Sequence, residues 1–474
     1  MLSLGDLNRK PRAHFIGIGG TAMVAGARLA CEAGWEVRGS DNPLYPPTSD
    51  MVEALGVEVA TGYSAANLDW APDVVIVGNA LSRGNEEVEA ALDRKLCYVS
   101  LPEWLKEAVL RQRQPVVITG THGKTTSTAI AASLLDRCGY APGFLIGGQP
   151  LDFPHSARLG AEGAPFVIEG DEYDTAFFDK RAKFFHYLPH IAVVTSLEFD
   201  HGDIYKDIDQ IENAFRLMLR QIPRSGHLVL NADDPRAAAL ADHAFCNVTT
   251  FGFDDNADWR AELTEQRPDA QHFTVHRGGD AWGKFTFALP GAHNLHNALA
   301  AIIVASLHGA SPEEIGEALA AFKGVKRRME IFHEANGITF IDDFAHHPTA
   351  IQETIAAAKT RWPDRRLVVL FEPRSNTTST NRFQTELGAS FQGATEVCIG
   401  PIHRADAIPA ENRLDRQQLV DDIATYGAPA RSSDSATEIL EHLQSATQPN
   451  DIVLILSNGA FGGLYDMIRD AFAS

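Results

Sequence analysis

The chain of 474 residues has only five cysteines, Cys31, Cys97, Cys138, Cys246 and Cys398, an odd number, far apart and without a C-x-x-C pair. That scarcity argues against a disulfide framework and a zinc site, and it suits a reducing compartment. No window reaches the ~18 apolar residues of a membrane-spanning helix. The opening MLSLGDLNRKPR places no apolar stretch ahead of its charges, so no export leader is expected and the expected location is cytoplasmic. Cations are in short supply: Lys plus Arg number 41 against 62 for Asp plus Glu, a formal charge of −21. So acidic a surface repels polyanions, which excludes nucleic acid and membrane as expected partners and leaves small anionic substrates wherever cations gather. No short-period repeat or low-complexity block is present.

What is present is an apolar fraction of 45%, ample for packed cores, over a length that predicts about three domains of ~150 residues. Strand, helix and strand alternate through most of the chain. HFIGIGG, TAMVAGARLACEAG and WEVRGSD read as a βαβ opening, and DVVIVGNAL with EEVEAALDRKL as another such unit. The polar break LRQRQ, Leu110 to Gln114, sets a boundary near Arg111. A second α/β series follows, with strand-like HFTVHR and KFTFAL late in it, and a third begins after Gly324–Arg328. The expected fold class is therefore α/β in three domains, 1–111, 112–323 and 324–474.

The segment PVVITGTHGKTTSTAIAASLLDRCG combines an apolar strand, a glycine turn and a helical pattern. That is a phosphate-binding loop. Gly120 and Gly123 let backbone N–H groups crowd an anion, and the helix beginning near Lys124 offers unpaired donors and a positive dipole end. Lys124 adds charge, while Thr125 or Thr126 suits Mg²⁺ ligation. The standard G-x-x-x-x-G-K-[ST] would need glycine at position 118, where Ile118 stands, so Gly120-Thr121-His122-Gly123-Lys124-Thr125 is a shortened form. Upstream, the turn Gly17-Ile18-Gly19-Gly20-Thr21 is weak alone. Asp41 about 20 residues on, at the end of the next strand, makes a bound nucleotide the better reading. NAD would leave the phosphate loop unexplained, whereas a nucleotide-linked substrate on the first domain and ATP on the second accounts for both.

Glu169 ends the strand FVIEGD, and Glu198-Phe199-Asp200-His201 follows the next strand. Carboxyl ends of parallel strands share one rim, so Lys124, Thr125, Glu169 and His201 are expected to converge on Mg²⁺ and a γ-phosphate. Glu172, Asp174 and Asp203 read as rim or water-facing residues. Asn294 and Asn297 share a helix face at i, i+3, suited to nucleotide contacts or, for Asn294, to capping. Lys326-Arg327-Arg328 lies at the second hinge, where it reads either as a solvated basic linker or as the source of an arginine that reaches back to a γ-phosphate. Asp342-Asp343-Phe344-Ala345-His346-His347-Pro348 follows a strand, with Pro348 at a helix start.

Taken in order, G-T-H-G-K-T-T, E-G-D-E, E-F-D-H, H-N-x-x-N, R-R-M-E and D-D-F-A-H-H-P resemble the Mur ligase family across essentially the whole chain. The opening GIGGTAM turn and the D-D-F-A-H-H-P form are similar to the branch acting directly on UDP-N-acetylmuramate. Phe371-Glu372-Pro373-Arg374-Ser375-Asn376-Thr377 and Leu456 to Gly463 resemble the members that take the murein tripeptide L-alanyl-γ-D-glutamyl-meso-diaminopimelate rather than L-alanine. The resemblance implies Rossmann-like outer domains around a P-loop ATPase-type sheet, and an ADP-forming ligase of peptidoglycan recycling with ATP and Mg²⁺ as cofactors. It further implies that Thr125 and Glu169 hold one Mg²⁺ and His201 a second, and that Asn294 and Asn297 contact the nucleotide. Asp343 with His346 then serves ATP or the incoming amine. His201, His346 and Asp343 remain alternatives for taking the amine's proton.

The UDP-sugar is assigned to Gly17, Gly19, Gly20, Thr21 and Asp41, and the peptide to Arg374, Ser375, Asn376 and Asn458. Arg374 stands out for carboxylate recognition among Arg365, Arg366, Arg382 and Arg404 because of its motif. The lysine that later-acting ligases carbamylate, about 14 residues past the motif histidine, has no counterpart here: Asn213, Ala214 and Phe215 occupy the region. No carbamate is expected. Closure of the third domain is expected, since Arg328 and Asp343 lie beyond the hinge yet serve the ATP site. An L-alanine ligase is the alternative reading, and a nucleotide-gated sensor with a dead ligase site the alternative of another class.

Overall fold

Three large sheets in chain order, with a two-stranded one of Asp174–Ala176 and Asp179–Ala182, organise the computed structural model, which describes residues 9–45, 48–200, 202 and 204–473. The first is five-stranded and all parallel, in the spatial order Glu58–Thr61, Glu36–Asp41, Arg12–Ile16, Val74–Val77, Tyr98–Ser100. Its strand order reverses between Arg12–Ile16 and Val74–Val77, which opens a crevice at their carboxyl ends. The Gly17–Gly20 turn lies there and leads into the helix Thr21–Glu32. Trp104, fully buried, meets Phe15 and Trp35 edge-on at 6.2 and 5.8 Å.

The second sheet has ten strands. Its centre is parallel: Gln114–Thr119 lies between Ile191–Val194 and Pro165–Gly170, with Thr119 opposite both Val194 and Gly170. These strands are covered on both faces and read as continuous apolar runs, as buried parallel strands must. One face is covered by Lys124–Arg137 and Ala292–Leu307, helices whose alanines allow close approach. The runs HFTVHR and KFTFAL form the antiparallel strands Gln271–Arg277 and Asp280–Phe287, which extend the sheet through Trp259–Gln266.

The third sheet runs Glu330–Ala335, Ile338–Asp343, Ile452–Leu456, Leu367–Phe371, Glu396–Ile399, Ala430–Ser432, parallel apart from its first strand. Its three central strands end at Asp343, Leu456 and Phe371, so the loops that follow emerge side by side. Among the described residues no helix is long and apolar enough to cross a membrane. Replacing the buried Trp104 by alanine is expected to cost about 3–5 kcal/mol, cavity included. Urea unfolding of Trp104→Ala beside the parent protein measures it.

Candidate active site

The register of the central sheet builds the site. Gly120 has φ +127°, and a Cβ there would stand 2.3 Å from Thr195 Oγ1; at Gly123, φ +80°, it would stand 2.3 Å from Asn297 Oδ1. Both glycines are therefore required by backbone conformation and by space. The Thr121 amide donates to Ser196 O (3.0 Å), the His122 amide to Ser196 Oγ (2.9 Å) and the Glu198 amide to Thr121 Oγ1 (2.8 Å). Thr195 Oγ1 also donates to His122 O. The phosphate loop is thus moulded by the loop after the neighbouring strand.

Lys124 donates to Gly120 O (2.7 Å) and pairs with Glu172 (2.9 Å). Glu172 is buried, not rim-facing, because Lys124 neutralises it across the two strand ends. Burial pushes the Lys124 ammonium down, but Glu172 and Asp171 more than offset this, and its pKa is raised. Thr125 Oγ1 donates to Glu169 Oε2 (3.1 Å), and the Gly147 amide donates to Glu169 Oε1 (2.5 Å). Burial, then repulsion from Asp171, pushes the Glu169 carboxyl up to about 7. Arg328 Nη2 reaches Thr125 Oγ1 at 3.5 Å, with its guanidinium over the Phe344 ring. Lys124, Thr125, Glu169 and Arg328 are therefore brought together. His201 lies outside the described residues, as does Asp203. Asp174 is half-buried and pairs with Lys180.

Other expected residues stand in more specific company. Thr126 is buried in the first turn of its helix. Asn297 Oδ1 accepts from Ser127 Oγ (3.0 Å), so Asn297 lies against the phosphate loop, while Asn294 stands behind it, accepting from Asn297 Nδ2 (3.4 Å) and donating from Nδ2 to Pro290 O (2.7 Å). Gly291, not Asn294, occupies the helix N-cap. Asp343 accepts from the amides of Met329 and Ala345, both at 2.8 Å, and holds the hinge in place. His346 Nδ1 lies 2.9 Å from Phe344 O. In the first unit Asp41 accepts from the Gly19 amide (2.7 Å) and Tyr63 Oη (2.9 Å), which fixes the turn, while Gly20 and Thr21 are exposed.

On the third unit's rim, Arg374 Nη1 donates to Glu372 Oε1 (3.3 Å) beside His403 Nδ1 (3.3 Å). Ser375 Oγ lies 2.8 Å from Thr378 Oγ1, Asn376 is exposed, and Asn458 Oδ1 is a buried acceptor without a hydrogen-bond partner.

Sequence reasoning assigned nothing to the seam between the second and third units. Thr349 Oγ1 donates to Glu198 Oε2 (2.7 Å), Thr377 Oγ1 to Asp200 Oδ1 (2.6 Å), and Arg382 lies over Phe199 and against Gly202. Burial would raise Glu198, but the His122 and Thr349 bonds outweigh it and bring its pKa down to about 2. Its place after an apolar strand and its membership of the E-F-D-H motif marked Glu198, without pointing to these partners.

Three family models match nearly the whole chain: the Mur ligase family catalytic domain over residues 12–113, the Mur ligase middle domain over 118–305 and the Mur ligase glutamate ligase domain over 327–459. The chain belongs to the Mur ligase family. It is 40% identical over 465 residues, 98% of both chains, to the UDP-N-acetylmuramate–L-alanyl-γ-D-glutamyl-meso-2,6-diaminoheptandioate ligase of Escherichia coli K12. It is 35% identical over 478 residues, 99% of this chain and 97% of the other, to the UDP-N-acetylmuramate–L-alanine ligase of Xylella fastidiosa M12. The crystal structure of a murein peptide ligase from Psychrobacter arcticus 273-4 superposes with a TM-score of 0.74 at 37% identity, over 98% of each chain.

The seam carries a pH dependence. Burial, reinforced by His122, lowers the His347 pKa from 6.5 to about 4. Between pH 4 and 6.5 the folded state then binds fewer protons than the unfolded chain, so stability rises with pH and is lost on acidification. His347 is expected to account for roughly 3 kcal/mol over that window. Urea midpoints in EDTA-containing buffer should fall more steeply with acid in the parent protein than in His347→Gln.

Proposed function

We propose that the chain is an ATP-dependent, ADP-forming ligase joining L-alanyl-γ-D-glutamyl-meso-diaminopimelate to the lactyl carboxylate of UDP-N-acetylmuramate. The observation that carries this reading is the 40% identity to the Escherichia coli ligase over 98% of both chains. In support, Lys124, Thr125, Glu169 and Arg328 lie together at the carboxyl end of the central sheet. Units 1–111, 112–323 and 324–474 receive the UDP-sugar, ATP and the peptide in turn, in the cytoplasm, where ATP is present.

A carboxylate oxygen of UDP-N-acetylmuramate attacks the γ-phosphorus of ATP, ADP leaves, and an acyl phosphate results. The uncharged α-amine of the tripeptide then adds to the acyl carbon, and the tetrahedral adduct expels phosphate to leave an amide. Lys124 and Arg328 offset the negative charge brought together in the first step. Thr125 and Glu169 present hard oxygen donors 3.1 Å apart, a fit for Mg²⁺. Mg²⁺ supplies charge neutralisation and Lewis acidity at the phosphates. His201, His346 and Asp343 are the candidates to take the amine's proton, and Asn294 and Asn297 support the nucleotide loop from below.

Gly17, Gly19, Gly20, Thr21 and Asp41 receive the UDP-sugar at the first sheet's crevice. Arg374 binds a peptide carboxylate, with Ser375 and Asn376 beside it, and the buried Asn458 Oδ1 accepts from the diaminopimelate ammonium. Phosphate release with ATP, UDP-N-acetylmuramate and either tripeptide or L-alanine tests the proposal. Release is expected with tripeptide. Release with alanine alone would make the chain an alanine ligase, and release with neither would make it a nucleotide-gated binding protein.

Two variants test the assignments. Lys124→Met is expected to lower kcat by about 10²–10³, the usual cost of losing one group that stabilises transition-state charge. Gly459→Ala would place a Cβ 2.1 Å from Arg374 Nε. The displaced guanidinium should raise KM for the tripeptide about tenfold, some 1.4 kcal/mol, while KM for UDP-N-acetylmuramate stays unchanged in steady-state kinetics.

A further inference from the structure

His122, Glu198 and His347 gather at the seam between the second and third units, with ligand atoms that all lie within 4.8 Å of one another. His122 Nε2 is 3.3 Å and His347 Nδ1 3.7 Å from Glu198 Oε2. Ligands about 2.0–2.1 Å from a tetrahedral zinc ion stand about 3.3–3.5 Å apart, so two of the three separations are already near those of a coordinated set. Two imidazoles and a carboxylate suit zinc or cobalt and are a poor set for Mg²⁺, which takes oxygen.

An independent observation points the same way. His347 is 4% exposed, and its Nδ1 is buried without a hydrogen-bond partner. Its other nitrogen, Nε2, donates to Phe199 O at 3.3 Å. That bond puts the proton on Nε2 and leaves a lone pair on Nδ1 aimed into the cluster, as an outer carbonyl does for metal-binding histidines. Thr349 Oγ1 holds the same Glu198 oxygen at 2.7 Å and so orients the carboxylate.

We propose that His122, Glu198 and His347 form a binding site for a divalent transition ion of the zinc or cobalt type, separate from the oxygen pair of Thr125 and Glu169. His122 and Glu198 belong to the second unit and His347 to the third. An ion held by all three ties the phosphate loop to the start of the helix Pro348–Arg361 and opposes separation of the two units.

Co²⁺ is the probe. Chelator-treated, nucleotide-free protein is titrated with Co²⁺ in excess Mg²⁺, which fills the oxygen site, and visible absorption is followed. One equivalent of Co²⁺ should give the intense band of low-coordinate cobalt, and a further hundredfold rise in Mg²⁺ should leave it in place. His347→Asn and His122→Asn should weaken Co²⁺ binding more than tenfold, whereas Glu169→Gln should not. A band removed by Mg²⁺ from the unaltered protein, or binding unchanged in both histidine variants, would overturn the site. Hydrogen exchange tests the tie: Co²⁺ should slow exchange at residues 198–200 and 349–352 of the unaltered protein, and equal exchange with and without the ion would refute it.

Discussion

Everything around the Gly120–Thr125 loop depends on one strand, Gln114–Thr119, paired in parallel with Ile191–Val194 on one side and Pro165–Gly170 on the other, with Thr119 in register with both Val194 and Gly170. Register decides which loops leave the sheet together, and here three do so from one rim. The loop after Thr119 cannot hold its shape alone: two of its residues are glycines at positive φ, and its carbonyls and amides need partners. Thr195, Ser196 and the Glu198 amide supply several of them. The same segment then turns outward with Glu198 and Asp200, which the third unit grips through Thr349 and Thr377. Shaping the phosphate loop and docking the third unit are thus tasks of one stretch of chain.

That rim also gathers charge which a lone residue could not keep buried. An ionised group taken from water costs several kcal/mol unless it is paired. Lys124 meets Glu172, Asp171 meets Lys183 at 3.1 Å, and Glu169, without a lysine of its own, takes an amide and a hydroxyl and has its pKa raised. The arrangement is asymmetric. Glu169 is the carboxylate with the most to gain from an incoming cation, and it sits beside Thr125, the hydroxyl at the start of the phosphate-binding helix.

The three sheets and the phosphate loop are legible in the sequence because buried parallel strands read as unbroken apolar runs and glycine turns punctuate them. Glu169 is legible for the same reason, standing at the end of such a run. Glu172 is not: three residues further on, in a chain of charge −21, it looks like any loop carboxylate. Its burial comes from Lys124, 48 residues away. The seam is hidden more deeply. Thr349 and Glu198 are 151 positions apart, Thr377 and Asp200 177, and no local pattern marks a hydroxyl that will meet a carboxylate of another unit. Asp343 stands where a motif for ATP or amine chemistry places it, yet its oxygens hold Met329 and Ala345, because the hinge turns back in a conformation that methionine's own preferences do not announce.

That hinge joins the loop at Thr125 to the rim that carries Arg374. Arg327 and Met329 adopt φ of +60° and +52°, a left-handed conformation costing non-glycine residues about 1–2 kcal/mol each. Local bonds offset the strain: Glu330 Oε2 accepts from the Arg327 amide, and Asp343 from that of Met329, both at 2.8 Å. The result sends two adjacent arginines in different directions. Arg328 points across to Thr125. Arg327 turns into its own unit, pairs with Asp342 (2.9 Å) and donates to the carbonyls of Ser457 and Gly459 at 2.6 and 3.0 Å. Those carbonyls flank Asn458, and Gly459 is the residue whose missing Cβ leaves space for Arg374. A shift of the hinge that moves Arg328 relative to Thr125 therefore also pulls on the Ser457–Gly459 loop against which Arg374 packs. Placing the two cations next to each other on a strained turn thus ties the surroundings of Thr125 to those of Arg374, the two places where the proposed reaction puts ATP and the peptide.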